Sequence, residues 1–221
     1  MRAVIFDIDG TLLDSVDLHA QAWVEAFAHF GVETDAAEVR SQIGKGGDEL
    51  MPVFLSQARI DQEGDAIEAY RSDLFKRKYL PEVRPFPGVR ALFERIRAAG
   101  LKIALASSGK RAEVERYTEI LEIGDLVDVS TSSDDADRSK PHPDIFEAAL
   151  KKLDGIPPAA IIVIGDTPYD AEAASKAGLP TLGVLCGGFP EADLSAAGCV
   201  AIYRDPQDLL DGFEQSPLAT G

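Results

Sequence analysis

Positive charge and long apolar runs are scarce in this chain of 221 residues. Its 22 Lys and Arg residues are outnumbered by 38 Asp and Glu residues, which gives a formal net charge of −16. Because such a charge repels polyanions, the composition argues against nucleic acid or an anionic membrane surface as a partner. The apolar runs, such as residues 161–164, are far too short to cross a bilayer.

Cysteine is also rare, with Cys186 and Cys199 as the two occurrences, both in apolar or glycine-rich surroundings. We expect buried free thiols at these positions, with a disulfide as the second alternative and a metal site as the third. The N-terminus opens directly into a predicted strand and lacks the basic, apolar and small-residue order of a signal peptide. A cytoplasmic location is therefore expected.

The chain is nevertheless 45% hydrophobic, and its length suits one large domain or a core with a smaller insert. Apolar side chains at three- and four-residue spacing predict a helix over residues 16–30 that stops at Gly31. Helical patterns continue to about Tyr79, and no strong strand is predicted between residues 16 and 80. The glycine-rich stretch 44–47 interrupts them and precedes a helix start.

From Gly88 onward, predicted strands alternate with predicted helices. The strands lie at 101–106, 126–130, 160–164, 180–185 and 199–203, and the helices at 88–99, 110–121, 143–153, 168–177 and 206–213. Such alternation implies βαβ units and a parallel sheet, to which residues 1–14 add one strand. The sequence therefore predicts an α/β protein: a Rossmann-like core of residues 1–15 and 86–221, with an α-helical insert at 16–85. Residues 214–221 are expected to form a loose tail.

Residues 4–11 read Val-Ile-Phe-Asp-Ile-Asp-Gly-Thr, an apolar strand that ends in two carboxylates. Asp7 and Asp9 are two positions apart, so the alternation of a strand directs both side chains to the same face. Gly10 then breaks the strand, and Thr11 adds a hydroxyl. Two adjacent like charges need an offsetting charge, and oxygen ligands suit Mg²⁺. Two solvated Asp residues at a strand end are the simpler alternative.

Two later strand ends are also polar. The strand at 101–106 is followed by Ser107-Ser108-Gly109, a turn that could hold an anion, although its local sequence favours an ordinary turn or a helix cap. The strand at 160–164 is followed by Gly-Asp-Thr-Pro-Tyr-Asp, which places Asp166 at the tip and Asp170 one helical turn further on. A helix cap accounts for Asp166 alone, but four acids at two strand ends favour a cation site, where open α/β sheets bind ligands.

Lys140 lies in the stretch Ser-Lys-Pro-His-Pro-Asp, residues 139–144, just before a predicted helix. A lysine near four carboxylates could neutralise them and bind a phosphate group as a point charge. The usual role of a lone lysine is a solvated surface side chain, so the interest of Lys140 depends on its combination with the acidic strand ends.

These motifs resemble, in order and over essentially the whole chain, the four motifs of the haloacid dehalogenase superfamily. The predicted helical insert is similar to the α-helical cap of that superfamily. The resemblance implies a Mg²⁺-dependent phosphoric monoester hydrolase. In it, Asp7 would be the nucleophile that becomes an aspartyl-phosphate, and Asp9 would protonate the leaving alcohol and then activate water. Lys140 would bridge the phosphate and Asp7.

The resemblance also implies the metal and substrate ligands. Mg²⁺ would be bound by Asp7, the carbonyl of Asp9 and Asp166, with Asp170 acting directly or through water. Phosphate oxygens would be held by the hydroxyls of Thr11 and Ser107 and by backbone amides at 8, 9 and 108. The full set of candidate substrate-binding residues comprises Thr11, Ser107, Ser108, His19, Lys45 and Gly46.

Three classes of relative are less well supported. Dehalogenases lack the second Asp of the first motif, so Asp9 argues against attack on carbon. Phosphonate-cleaving relatives use a cap lysine as a Schiff base, but the Gly-Lys-Gly-Gly setting of Lys45 offers little apolar burial to lower its pKa. Non-catalytic relatives that bind a metabolite or a partner have usually lost one of the three residues Asp7, Asp9 and Lys140.

A sugar-phosphate mutase of the beta-phosphoglucomutase type is the main competitor. Residues 14–19, followed by Ala22-Trp23, resemble those mutases, in which a His at the place of His19 couples cap closure to the general acid and base. Their cap loop carries an Arg for a second phosphate where Gly47 stands here, although Lys45 could partly substitute. The sequence thus favours a hydrolase for a small phosphorylated metabolite, a sugar phosphate or phosphoglycolate, that acts as a monomer or homodimer.

Overall fold

A computed structural model of the chain describes residues 1–219. The β-strands in this range are β1 (Ala3–Phe6), β2 (Leu13–Asp14), β3 (Arg84–Pro85), β4 (Lys102–Ala106), β5 (Val129–Thr131), β6 (Ile161–Gly165), β7 (Thr181–Val184) and β8 (Ala201–Tyr203). The α-helices are α1 (Val16–His29), α2 (Ala36–Ser41), α3 (Gly47–Phe54), α4 (Gln57–Leu74), α5 (Val89–Ala98), α6 (Arg111–Leu121), α7 (Asp144–Lys152), α8 (Pro168–Lys176), α9 (Glu191–Ala196) and α10 (Pro206–Asp211).

A six-stranded parallel sheet forms the centre of the molecule, with the strand order β5-β4-β1-β6-β7-β8. Phe6, the last residue of β1, pairs with Leu105 on one side and with Ile164 on the other. This register aligns the carboxyl ends of β4, β1 and β6, the edge where open α/β sheets bind ligands. The predicted α/β class with a parallel, Rossmann-like sheet is confirmed.

Alternation along β1 explains why helices cover both faces of the sheet. Val4 and Phe6 pack into one apolar cluster with α5, α6 and α10, whereas Ala3 and Ile5 pack into another with α7 and α8. All four residues of β1 are buried and apolar. A strand that is apolar on both faces must be covered by other elements on both faces of the sheet.

Helices α1 to α4 pack around an apolar cluster of their own, which includes Trp23, Phe27, Leu50 and Ile67. Helix α1 ends as predicted, because Gly31 adopts the left-handed conformation (φ +72°) that glycine accepts without strain. The chain leaves and re-enters the sheet core beside an antiparallel pair formed by β2 and β3, two residues each. Strands this short carry no periodicity, so the sequence did not predict them.

The prediction of a loose tail is wrong over residues 214–219. Residues Phe213–Gln215 form a 3₁₀ turn, the Ser216 hydroxyl donates a 2.6 Å hydrogen bond to the Phe213 carbonyl, and Leu218 is buried in the core. Residues 220 and 221 lie outside the described range. Cys186 and Cys199 are free thiols, as expected, but they are only partly buried. None of the described helices combines the length and apolar character needed to cross a membrane.

Candidate active site

Three neighbouring strands deliver polar side chains to one point at the carboxyl edge of the sheet. Asp7 follows β1, Ser107 follows β4 and Asp166 follows β6, and all three are buried. One carboxylate oxygen from each of Asp7, Asp166 and Asp170 lies within 4.8 Å of the others. Three of the four acids predicted at the two strand ends therefore meet, with Asp170 contributed by the first turn of α8.

Asp170 is oriented by a capping box at the start of α8. Thr167 is the cap residue, and its hydroxyl accepts a hydrogen bond from the Asp170 backbone N–H (3.1 Å). In return, Oδ2 of Asp170 accepts hydrogen bonds from the Thr167 backbone N–H (3.1 Å) and from its hydroxyl (2.6 Å). Pro168 occupies the first turn, as predicted. The alternative in which Asp166 serves as the helix cap is therefore wrong. Because Oδ2 of Asp170 is bonded to Thr167, Asp170 presents its other oxygen, Oδ1, to the cluster.

Lys140 is buried inside this cluster and is 1% exposed, so it is not a solvated surface lysine. Its Nζ lies 2.5 Å from Asp7 Oδ1 and 2.7 Å from Asp170 Oδ1, and it donates to the Ala106 carbonyl at 3.3 Å. Burial opposes the charge, but the two carboxylates raise the pKa of Lys140 above its usual range. The lysine is thus a permanent cation beside Asp7.

The acids outnumber this single cation. Burial, reinforced by the charge of Asp170, raises the pKa of Asp7 to about 7 although Lys140 opposes the shift. Burial and the charges of Asp170 and Asp7 likewise raise the pKa of Asp166 well above its usual value. Asp166 Oδ1 accepts from the Thr11 hydroxyl (2.9 Å), but its buried Oδ2 has no hydrogen-bond partner in the described chain.

A divalent cation fits this arrangement. An unpartnered buried carboxylate oxygen is costly, and clustered carboxylates stay ionised only beside compensating charge. Hard oxygen donors are the ligands that Mg²⁺ and Ca²⁺ prefer. Asp7, Asp166 and Asp170 could therefore hold such an ion.

Asp9 lies beside this cluster in a hydrogen-bond network of its own. Ser15 donates to Asp9 Oδ1 at 2.6 Å, and His19 Nε2 lies 3.0 Å from the same oxygen. Although burial favours the neutral acid, His19 and Ser15 lower the pKa of Asp9. The Tyr117 hydroxyl lies 3.0 Å from His19 Nε2 and extends the network into the core. Asp7 and Asp9, two residues apart, thus have carboxyls with pKa shifts in opposite directions.

A cavity of about 400 Å³ opens in front of Asp7 and Asp9, between the sheet edge and the helices α1 to α4. Ser107 and Ser108 line it from the sheet side, and the predicted residues His19, Lys45 and Gly46 line it from the helical side. The remaining predicted site residues are buried beside Asp7 and Asp9 and do not line the cavity: Thr11, Lys140, Asp166 and Asp170. The Thr11 hydroxyl donates to Asp166, and its predicted contact with phosphate stays a prediction.

Contacts across the rim hold the helical segment against the sheet core. The Ser108 hydroxyl donates to the Gly44 carbonyl (3.3 Å), and the Ser139 N–H donates to Asp48 Oδ2 (3.0 Å).

Lys45 donates to Gln42 and lies 4.6 Å from the centroid of the Tyr169 ring. Burial lowers the pKa of Lys45, so this residue is more enclosed than its glycine-rich setting predicted. The cavity is therefore covered by the loop at residues 44–48.

Sequence reasoning missed several charged residues that line the cavity from helices. Arg71 of α4 is nearly buried, donates to Glu68 and lies 5.2 Å from the centroid of the Trp23 ring. Glu113 of α6 accepts from the Ser72 hydroxyl at 3.3 Å. In the sequence, Glu113 resembles an ordinary first-turn acid and Arg71 an ordinary partner of Glu68 one turn earlier. The sequence pattern therefore predicts ordinary helix charges at these two positions, but it does not indicate that both residues border the cavity.

Comparison with known proteins now identifies the family. The family described as "haloacid dehalogenase-like hydrolase" matches residues 4–184. This chain belongs to the haloacid dehalogenase-like hydrolase family. The matched range includes all four acids of the site and Lys140.

Relatives within the family cover nearly the whole chain. The "phosphoglycolate phosphatase" of Escherichia coli (strain K12) is 33% identical, over 95% of this chain and 91% of its own. The "phosphorylated carbohydrates phosphatase" of Thermotoga maritima is 28% identical, over 97% and 99%. Among solved structures, a "hydrolase from Pseudomonas syringae" superposes with a TM-score of 0.87 at 28% identity, over 97% of this chain and 99% of its own.

Proposed function

We propose that this protein is a Mg²⁺-dependent phosphatase that hydrolyses a small phosphate monoester, of the sugar phosphate or phosphoglycolate type, through an aspartyl-phosphate on Asp7. The observation that carries the proposal is the buried contact of Asp7 with Lys140, in a cluster with two further acids, at the floor of a cavity of about 400 Å³. The names of two relatives, both phosphatases, support it.

Asp7, Asp166 and Asp170 would hold the metal, together with the main-chain carbonyl of Asp9. The bound ion would neutralise charge on both the acids and the phosphate, which phosphoryl transfer needs more than it needs covalent chemistry. The donor set favours this assignment, since it consists of carboxylates with one buried oxygen, Asp166 Oδ2, lacking a partner.

The protein's own residues supply the remaining chemistry. Lys140 holds one oxygen of the Asp7 carboxylate, so the other can approach phosphorus while the lysine offsets the negative charges. A bond forms between a carboxylate oxygen of Asp7 and phosphorus as the bond to the ester oxygen breaks, and a proton passes from Asp9 to the leaving alcohol. Because His19 and Ser15 lower the pKa of Asp9 in the substrate-free site, this step requires the negative charge of the bound phosphate to favour the protonated form of Asp9. Asp9 then accepts a proton from water, whose oxygen attacks phosphorus and releases phosphate and Asp7.

The cap loop favours a phosphatase over a mutase. A Cβ atom at Gly47, the place where the mutases carry their phosphate-gripping Arg, would lie 2.2 Å from Glu68 Oε2. An arginine would therefore fit there only if the Glu68 side chain moved. Arg71 also borders the cavity, but its charge is offset by Glu68 and Glu113, as the causes of its raised pKa indicate. The loop at residues 44–48 thus offers Lys45, which donates to Gln42, but no arginine for a second phosphate.

Hydrolysis of acetyl phosphate and p-nitrophenyl phosphate with Mg²⁺ tests the proposal. We expect Asp7→Asn to lower kcat/KM by at least about 10³-fold, because the nucleophile is lost. The matched variant Asp14→Asn, at an exposed position of β2, should change kcat/KM less than about twofold. EDTA should abolish the activity and added Mg²⁺ should restore it. Activity that survives Asp7→Asn or EDTA contradicts the mechanism.

The mutase alternative needs a separate assay. The protein is given beta-glucose 1-phosphate with a bisphosphate primer, and sugar isomerisation and phosphate release are followed together. The proposal predicts that phosphate release dominates. Efficient isomerisation with little phosphate release would reassign the protein as a mutase.

A further inference from the structure

Tyr117 reaches the site from behind, through the core helix α6, and has no assigned part in the chemistry above. Its side chain is 1% exposed, and its hydroxyl lies 3.0 Å from Nε2 of His19, a residue 98 positions earlier in the chain. The same Nε2 lies 3.0 Å from Asp9 Oδ1. The buried hydroxyl and the proposed acid thus meet at one imidazole nitrogen, whose single N–H is shared between the two oxygens when it donates to Asp9.

The imidazole of His19 is restrained in two independent ways. Its face stacks on the ring of Phe75, with a centroid distance of 3.9 Å and an interplanar angle of 6°. Phe75 begins the π-helical turn Phe75–Tyr79 that follows α4. Stacking fixes the plane of the imidazole but lets it turn within that plane, as a flat contact has no preferred direction. The contacts of Nε2 with Tyr117 and with Asp9, each 3.0 Å long, limit this remaining freedom.

The orientation of His19 matters because His19, together with Ser15, holds one oxygen of Asp9 and leaves the other to face the substrate. Within the described chain, the hydrogen bonds from Ser15 (2.6 Å) and His19 (3.0 Å) both end on Oδ1 of Asp9. This leaves Oδ2 for the leaving group of a substrate in the cavity that Asp9 lines. A proton donor must lie within about 2.6–3.2 Å of its acceptor, so a small rotation of the carboxyl would remove Oδ2 from reach.

We propose that Tyr117 is a positioning residue: its hydroxyl holds His19 so that Asp9 keeps Oδ2 directed at the leaving oxygen of the substrate. The inference rests on the proposed function, because it concerns the step in which Asp9 delivers a proton. As the phosphorus–oxygen bond to the leaving alcohol breaks, its electron pair stays on that oxygen and accepts the Asp9 proton. Burial, the charges of Asp9 and Glu113 and a hydrogen bond with Asp9 raise the pKa of Tyr117, which keeps its hydroxyl neutral.

The test compares leaving groups in the Tyr117→Phe variant. One probe is acetyl phosphate, whose acetate leaves without a proton. The other is the alkyl phosphate on which the wild type is fastest among glycerol 3-phosphate, glucose 6-phosphate and 2-phosphoglycolate. We expect kcat/KM to fall about tenfold on the alkyl phosphate, since misplaced general acids lose most of their effect, and less than about twofold on acetyl phosphate, whose leaving group needs no general acid. Because kcat/KM reports the first phosphoryl transfer, the later water step does not obscure the comparison.

The matched control is Tyr79→Phe, which also removes the hydroxyl of a buried tyrosine, in this case a part-buried hydroxyl bonded to Glu25. It should leave the ratio of the two activities unchanged. A loss in general structural stability would lower both activities together, so the ratio separates a positioning role from a structural one.

A double variant tests whether Tyr117 acts through His19. If it does, Tyr117→Phe should add little to the loss caused by His19→Ala, whereas independent residues give multiplied losses. An equal loss on both probes, no loss on either, or multiplied losses would overturn the inference. A wild type that hydrolyses neither probe would instead overturn the proposed function, so the two failures are distinguishable.

Discussion

Lys140 is the residue on which the electrostatics of the site depend most directly. A buried lysine is costly unless it is paired, and here the pairing partners, Asp7 and Asp170, are themselves buried acids. Each charge is therefore tolerated because of the others. Removing the lysine leaves the acids uncompensated, whereas the acids can still lower their mutual repulsion by taking up protons.

We predict that Lys140→Met destabilises the metal-free protein by about 3 kcal/mol at pH 8, the cost typical of breaking a buried ion pair. The loss should be smaller at pH 5, because protonation of the Asp7 carboxyl, whose pKa is already raised to about 7, then relieves the repulsion. Urea unfolding at both pH values measures this. Lys152→Met, which removes a half-exposed lysine bonded to Asp135, is the matched control. Equal losses at both pH values would contradict the explanation.

At this scale the sequence predicted the acids and the lysine well, because each follows an apolar strand or precedes a helix within a few residues. Parallel strands bring such ends to one edge, so local motifs sufficed. Tyr117 could not be found in this way. It lies three residues after Val114 and four before Leu121, both buried, so it looks like one more core position of an amphipathic helix. Its partner, His19, is 98 residues away.

At the scale of elements, the start of helix α3 closes the cavity against the sheet core. A Cβ atom at Gly46 would lie 2.0 Å from Ser139 Oγ across this seam and 2.6 Å from Asp48 Oδ1. The backbone of Gly46 is otherwise ordinary (φ −79°), so a larger residue would be strained by the seam and not by its own conformation. The glycine is therefore needed for close approach of the two parts of the molecule.

We predict that Gly46→Ala raises KM for a phosphate monoester about tenfold, because the α3 loop can no longer close fully over the substrate. The free energy of unfolding should change by less than about 1 kcal/mol, since an opened seam relieves the clash without disturbing either core. Steady-state kinetics and urea unfolding measure the two quantities. Gly124→Ala, where a Cβ would make an ordinary 3.6 Å contact with Thr118, is the control. An unchanged KM would contradict this role for the seam.

Elements were predicted where periodicity is long enough to detect. Helix α1, with Trp23 and Phe27 on its apolar face, and the strand pattern of β6 were both found. The β2–β3 pair was not, because two residues cannot show an alternation. The packed C-terminal segment was missed for a different reason: Leu218 is held by tertiary contacts with the core, which short, weakly patterned tails do not reveal.

At the scale of the whole molecule, the excess of negative charge and the acid cluster both lower the stability of the folded state, because like charges repel. The formal net charge is −16, and three of the carboxylates that contribute to it meet at the sheet edge with one lysine. Both favour the binding of cations, but in different ways: diffuse charge attracts any cation and is screened by salt, whereas the cluster has fixed geometry. An experiment on metal binding must separate the two.

We predict that Mg²⁺ at about 100 times its Kd stabilises the protein by about 2.7 kcal/mol at pH 8, which corresponds to a rise in Tm of about 5–10 °C for a chain of this size. The pKa of Asp7 is raised from 3.8 to about 7, so the metal-free folded state binds an extra proton below pH 7. Its contribution to stability is therefore lost as pH rises from about 4 to 7, and the Asp7 carboxylate is left ionised and repelled by its acidic neighbours at pH 8.

The effect of Mg²⁺ should accordingly shrink to less than half at pH 5.5, where protons compete for the same oxygens. Thermal unfolding in EDTA and in Mg²⁺, each at equal ionic strength set with NaCl, measures the difference and removes the screening of the diffuse charge. Asp166→Asn keeps the Oδ1 that accepts from Thr11 but loses one charged ligand, and it should abolish the shift at both pH values. A shift that persists in Asp166→Asn, or that is the same at pH 5.5 and pH 8, would show that the ion binds elsewhere.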